Sequence, residues 1–101
     1  MSKSLEYRGD LTIRAADRCR ETLLSAWTDD SAVVLSIADD AAIDLTFVQL
    51  IEAGRRTAAR DGRTLALASP ATGSLHDVLR RGGFLETGES REFWLLETER
   101  R

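Results

Sequence analysis

A chain of 101 residues has length for one domain, and a domain of that size buries roughly two-thirds of the surface its unfolded chain exposes, enough for a core without metal or disulfides. Fourteen basic residues against seventeen acidic ones leave a net charge of −3, which excludes the general affinity for nucleic acid or anionic lipid that basic patches supply. Cys19 is the single cysteine, so an intramolecular disulfide and a cysteine zinc site are both excluded, as suits a reducing compartment.

The opening residues Met1 to Glu6 are polar, and no apolar run approaches the ~20 residues that span a bilayer; a cytoplasmic protein is the expectation. Leu5-Glu6-Tyr7-Arg8 alternates as a half-exposed strand, Gly9-Asp10 reads as a turn, and Leu11-Thr12-Ile13 reads as a second strand, so the pattern predicts an opening β-hairpin. From about Ala15 to Trp27, the residues Ala16, Cys19, Leu23 and Trp27 form one apolar stripe, the mark of a helix. After the polar break Thr28 to Ser31, Ala32 to Ile37 is a near-continuous branched apolar run, as expected of a central strand covered on both faces.

The most informative junction follows. In Ala42-Ile43-Asp44-Leu45-Thr46-Phe47-Val48-Gln49-Leu50 a strand pattern passes through an acidic turn into a helix of about Leu45 to Arg60, with Phe47, Leu50, Ile51, Gly54 and Ala58 on one face and Asp61-Gly62 at its end. Thr46 to Gln49 fits a capping box, and Asp44 is the alternative N-cap. Thr64 to Ala68 reads as a strand stopped by Ser69-Pro70, and about Ala71 to Arg81 as a third helix broken by Gly82-Gly83. Phe84-Leu85 and Glu92 to Leu96 read as the last extended segments. Strands alternating with helices after a hairpin predict an α/β fold with a mixed β-sheet and helices packed on it.

Chemistry finds few candidates. His76 is the only histidine and has no serine or cysteine motif to partner it, so it reads as a solvent-facing helical residue rather than a general base. Neither a G-x-S-x-G elbow nor a phosphate-cradling glycine loop is present. Asp39, Asp40 and Asp44 lack the ordered spacing of a cation loop and read as solvated turn residues. The pairs Arg55-Arg56 and Arg80-Arg81 are expected near helix C-termini, where the macrodipole favours cations. Trp27 and Trp94 are expected in the core or at its rim, with Phe93 to Leu96 as an alternative contact surface. No catalytic residue, metal ligand or cofactor is assigned. A hydroxyl at a helix start is, however, suited to phosphorylation, and Thr46 is the candidate acceptor.

The order hairpin, helix, strand, Ile43-Asp44-Leu45-Thr46-Phe47, helix, strand, Ser69-Pro70, helix and Gly82-Gly83-Phe84-Leu85 resembles a STAS domain, the fold of bacterial anti-sigma-factor antagonists. The resemblance spans essentially the whole chain and is most specific at Asp44-x-Thr46 with Gln49-Leu50 after it, at Arg63 to Phe84, and at Gly9 to Ile13. It implies a non-enzymatic cytoplasmic regulator in signal transduction or chemotaxis that docks a protein through the start of the second helix, so Asp44, Leu45, Thr46, Phe47 and Gln49 become the implied partner-binding residues. In the sigma-regulating members an anti-sigma serine kinase phosphorylates the first hydroxyl of Asp-Ser-Ser/Thr-Gly. Here Asp44 keeps the aspartate and Thr46 the second hydroxyl, while Leu45 stands at the acceptor and Phe47 at the glycine; Leu45 cannot take a phosphate. A related branch, the small STAS subunit of a lipid-asymmetry ABC transporter, binds its ATPase and uses a threonine in this region. The implied partners are therefore an anti-sigma kinase, an ABC ATPase or a signalling receptor complex, with homodimerisation as a further expectation and no nucleic acid or membrane insertion. A small-ligand carrier or enzyme is the alternative of another class, resting on a pocket between sheet and helices.

Overall fold

The computed structural model describes residues 3–97. Its elements are β1 (Lys3–Tyr7), β2 (Asp10–Leu11), a 3-10 turn (Ile13–Ala15), α1 (Ala16–Asp29), β3 (Ala32–Ile37), β4 (Ala42–Ile43), α2 (Leu45–Asp61), β5 (Thr64–Leu67), α3 (Gly73–Arg81) and α4 (Gly88–Leu95). This is an α/β protein. β1, β3 and β5 form a three-stranded sheet in that order, β2 and β4 a separate two-stranded pair, and every pairing is parallel.

The expected hairpin and mixed sheet are therefore corrected. Gly9, at φ +79°, bends the chain without reversing it, and its carbonyl accepts from the Ala42 N–H at 2.8 Å. The strand resumes as β2 in the same direction, beside β4 rather than beside β1. A left-handed glycine serves a turn or a kink equally well.

The helices cover one face of the sheet. Along β3, Val33 and Leu35 are buried, Val34 is half-buried and Ser36 is exposed; along β5, Leu65 and Leu67 are buried while Thr64 and Ala66 are exposed. The expectation of a central strand covered on both faces thus fails at its second face, where Ser4 and Glu6 of β1 are exposed as well. The shortest extent of the molecule, 19 Å, is that of one sheet layer and one helix layer.

α2 is the organising helix. Phe47, Val48, Ile51 and Ala58 lie in the core, and Leu50 is half-buried at its margin. Full burial of a side chain the size of Ile51 contributes roughly 1.5–3 kcal/mol. Gly54 lets α1 approach closely: a Cβ there would stand 2.9 Å from Leu23 Cδ2. The helix ends at Gly62, whose N–H donates to the Ala58 carbonyl.

The C-terminal segment differs most from its sequence pattern. Phe84-Leu85 lies outside any strand, and the run expected to be extended over Glu92 to Leu96 belongs to α4, started by Thr87 accepting from the Ser90 N–H at 3.2 Å. Trp94 is fully buried and Phe93 nearly so, while Leu96 is exposed, so Trp94 takes no part in the alternative Phe93 to Leu96 contact surface; its Nε1 donates to Glu52 Oε2 at 2.7 Å. Glu52 is the one buried charged residue among the described residues. Its other oxygen pairs with Arg55 Nη2 at 2.6 Å, and Arg55 reaches Glu89 on α4 at 3.1 Å and lies 5.4 Å from the centre of the Phe93 ring. Arg55-Arg56 accordingly sits in the middle of α2 rather than near its C-terminus, whereas Arg80 and Arg81 do occupy the last turn of α3, both on Asp77.

Candidate functional site

The start of α2 is built around one carboxylate. Asp44, extended at φ −128° and ψ −178°, accepts through Oδ1 from the N–H groups of Thr46 at 3.0 Å and Phe47 at 3.3 Å. These are two of the donors that a helix N-terminus leaves unpaired. Through Oδ2 it accepts from the Ile13 N–H at 3.0 Å, tying the turn after β2 to the helix. Of the two caps the sequence allowed, the structure takes Asp44. With Asp44 at the N-cap, Thr46 lies inside the helix and the capping box from Thr46 to Gln49 does not form.

A second aspartate shapes the opposite wall. Asp10 Oδ1 accepts from the Thr12 N–H at 3.1 Å and its hydroxyl at 2.5 Å, and Oδ2 pairs with Arg14 at 3.1 Å. The Thr12 hydrogen bonds, helped by Arg14, hold the Asp10 carboxyl below the usual carboxylate range. Asp44 thus ties the turn that carries Ile13 to the helix start that carries Leu45, and both side chains are exposed, 67% and 44%. Gln49, one turn after Leu45 on the same helix face, is exposed, and Thr46 is half-buried.

Phe47 does not belong to this surface. It is 2% exposed and packs edge-on against Tyr7, with ring centres 5.4 Å apart. Of the five residues the resemblance implied for partner binding, Asp44 is consumed as cap and strap, Leu45, Thr46 and Gln49 line the surface, and Phe47 anchors the helix beneath. Ile13 is the residue that sequence reasoning missed; the signal was the Asp10-x-Thr12 turn, which turns the chain out of the sheet before Ile13.

The loop from 38 to 41 is fastened to α3. Asp39 accepts from the Thr72 hydroxyl at 2.5 Å, and the Ser74 hydroxyl donates to the Ala41 carbonyl at 3.0 Å. Gly73, at φ +59°, comes so near that a Cβ would stand 2.9 Å from the Asp39 carbonyl oxygen. Among the described residues no three His, Cys, Asp or Glu side chains gather as a metal site.

Comparison with known proteins adds no identity. Neither the sequence nor the structure significantly matches a family model, a characterised protein or a solved structure.

Other candidates for chemistry are dispersed. His76 is half-buried on α3, and Cys19 is 2% exposed inside the core, where burial pushes its thiol up. The space between β3, β5 and α3 measures about 10 Å³, room for one water, while an open cleft of about 360 Å³ lies between β5, α2 and α4. Among the described residues no helix is long and apolar enough to cross a membrane.

Proposed function

We propose that the chain is a STAS-type regulatory domain that acts in the cytoplasm by binding another protein, in the manner of an anti-sigma-factor antagonist, and catalyses no reaction. The partner seats on Ile13 and Leu45, with Thr46 and Gln49 beside them. The observation that carries this reading is the pair of large apolar side chains held outward by the Asp44 bridge at the start of α2. Water contact on residues of this size is costly, and burying either under a partner contributes roughly 1.5–3 kcal/mol. The fold gives the pair a rigid base, because Asp44 binds both flanking backbone segments and Phe47 and Val48 are buried directly below.

Thr46, half-buried beside Leu45, carries a hydroxyl that the helix cap does not use, Asp44 filling that role. Its phosphorylation would add ≈ −1.5 to −2 charges beside Leu45 and weaken an apolar seat, so modification acts as an optional brake on binding. One observation favours a second reading within the same class. Leu45, which cannot be phosphorylated, is itself half-exposed, and that suits the permanent contact of an accessory subunit with the ATPase of a lipid-transport ABC transporter.

The test is affinity of the native partner for Leu45→Asp and Ile13→Asp, compared at matched folded fraction. Each should weaken binding at least tenfold, the equivalent of about 1.4 kcal/mol. Wild-type affinity in both variants would place the docking surface elsewhere.

A further inference from the structure

The two edges of the sheet are treated differently. α4 lies against β5, with Phe93 and Leu96 sharing a cleft with Thr64 to Ala66. β1 is the other edge, and among the described residues no element covers it. Edge strands present unpaired N–H and C=O groups to any strand that can align with them, and proteins ordinarily blunt them.

Which groups β1 presents follows from its pairing. The Tyr7 carbonyl accepts from the Ala38 N–H at 2.9 Å, so Tyr7 faces β3. Backbone direction alternates along a strand; Lys3 and Leu5 face β3 as well, and the N–H and C=O of Ser4 and Glu6 point outward. We infer that β1 is the dimerisation edge of this protein, pairing antiparallel with β1 of a second copy about a two-fold axis at Leu5.

In that register Ser4 of one copy stands opposite Glu6 of the other, twice, and each pair exchanges both of its outward-facing backbone hydrogen bonds. Leu5 meets its own counterpart as a non-hydrogen-bonded pair with Cα atoms about 4.5 Å apart, and a side chain that is half-buried in the monomer becomes covered. A shift of two residues one way would place Glu6 against Glu6, which charge disfavours, and the shift the other way, Ser4 against Ser4, would pair only residues 3 to 5 of the strand Lys3–Tyr7. An odd shift would turn the faces over.

The flank of the edge is also self-complementary. An open cleft of about 380 Å³ runs between β1 and α1, and its charged lining is Lys3, Arg18 and Glu21, with Leu5 and Ala26 as its apolar part. A two-fold axis sets this flank against itself, with Arg18 and Glu21 of one copy facing charges of both signs on the other, as an isologous contact requires. Three strands become a continuous sheet of six.

Sedimentation equilibrium of the full chain over a wide micromolar range is the test, with amide exchange at Ser4 and Glu6 as a second readout. Wild type should dimerise, and those two amides should gain protection as concentration rises. Glu6→Pro removes an outward N–H that the monomer's own sheet does not use, and should weaken dimerisation roughly tenfold or more with the circular dichroism unchanged. If Glu6→Pro unfolds, Glu21→Arg decides: it makes the flank wholly cationic and should weaken the dimer by a similar factor, and Arg18→Glu/Glu21→Arg should restore it. A wild type that stays monomeric throughout, a folded Glu6→Pro that dimerises as wild type, or a Glu21→Arg with undiminished association would each overturn the assignment.

Discussion

Replacing Asp44 by alanine removes three hydrogen bonds at once: the cap bonds to Thr46 and Phe47 and the strap to Ile13. Loss of an aspartate N-cap costs ~1 kcal/mol, with a range of about 0.5–2. The bond to Ile13 is charge-assisted but solvent-exposed, so water competition brings it down to the value of an ordinary hydrogen bond, about 0.5–1 kcal/mol. Asp44→Ala should therefore lose about 1–3 kcal/mol, a fall in Tm of roughly 10 °C for a domain of this size. Asp44→Asn separates the two roles. Its remaining carbonyl oxygen still caps, since asparagine is as good an N-cap as aspartate, whereas its amide nitrogen cannot accept from Ile13. That variant should lose only the strap, about 0.5–1 kcal/mol, and should release the Ile13 amide to exchange while Phe47 stays protected. Urea unfolding at constant m, combined with residue-resolved amide exchange, measures both. A loss below about half a kcal/mol in Asp44→Ala, or an asparagine variant as damaging as the alanine one, would refute the reasoning.

Glu52→Ala should destabilise by about 2 kcal/mol, because it leaves the buried Trp94 N–H without an acceptor and takes from half-buried Arg55 one of its two carboxylates, Glu89 remaining; Glu52→Gln, which retains an acceptor for Trp94, should cost less, and chemical denaturation compares them. Tyr7 donates to the Cys19 carbonyl at 2.7 Å, and its burial, the largest influence on it, raises its pKa to about 12. The unfolded phenol ionises near 10, so the stabilisation is complete below pH 10 and is lost as pH rises from about 10 to 12, up to roughly 2.7 kcal/mol; ultraviolet titration of this single tyrosine, with melts across that window, checks both, and an ordinary pKa near 10 would contradict the packing. Gly73→Ala should cost about 2 kcal/mol, combining a positive φ with contact against the Asp39 carbonyl, and should loosen the loop from 38 to 41 in amide exchange.

The parts of this fold that sequence makes legible are those written locally. α2 carries its period, an aspartate at the start and Asp61-Gly62 at the end, and it forms at the expected place. β5 and α3 follow for the same reason. The opening bend is not legible as hairpin or kink, because Gly9-Asp10 signals a bend without its sense; direction is decided by the Ala42 N–H on Gly9 and by Asp44 on Ile13, contacts more than thirty residues apart in the chain. α4 is not legible in the sequence because Phe93-Trp94-Leu95-Leu96 favours a strand by residue type, and the helix is held by tertiary partners such as Glu52 on Trp94. At the site, sequence identified the helix start but not which residue caps it. It grouped Phe47 with Leu45 because adjacent apolar residues look alike until a third dimension separates core from surface, and it left Ile13 in a strand that ends two residues earlier.

The most direct test of the docking surface is site-specific photo-crosslinking in the cells that express the protein. A photoreactive residue at Leu45 should capture one discrete protein species, reduced or abolished by Ile13→Asp, whereas the same probe at Leu24, equally apolar and 46% exposed on α1, should capture none of it. Equal capture from both positions, or capture at Leu45 that ignores Ile13→Asp, would contradict the account.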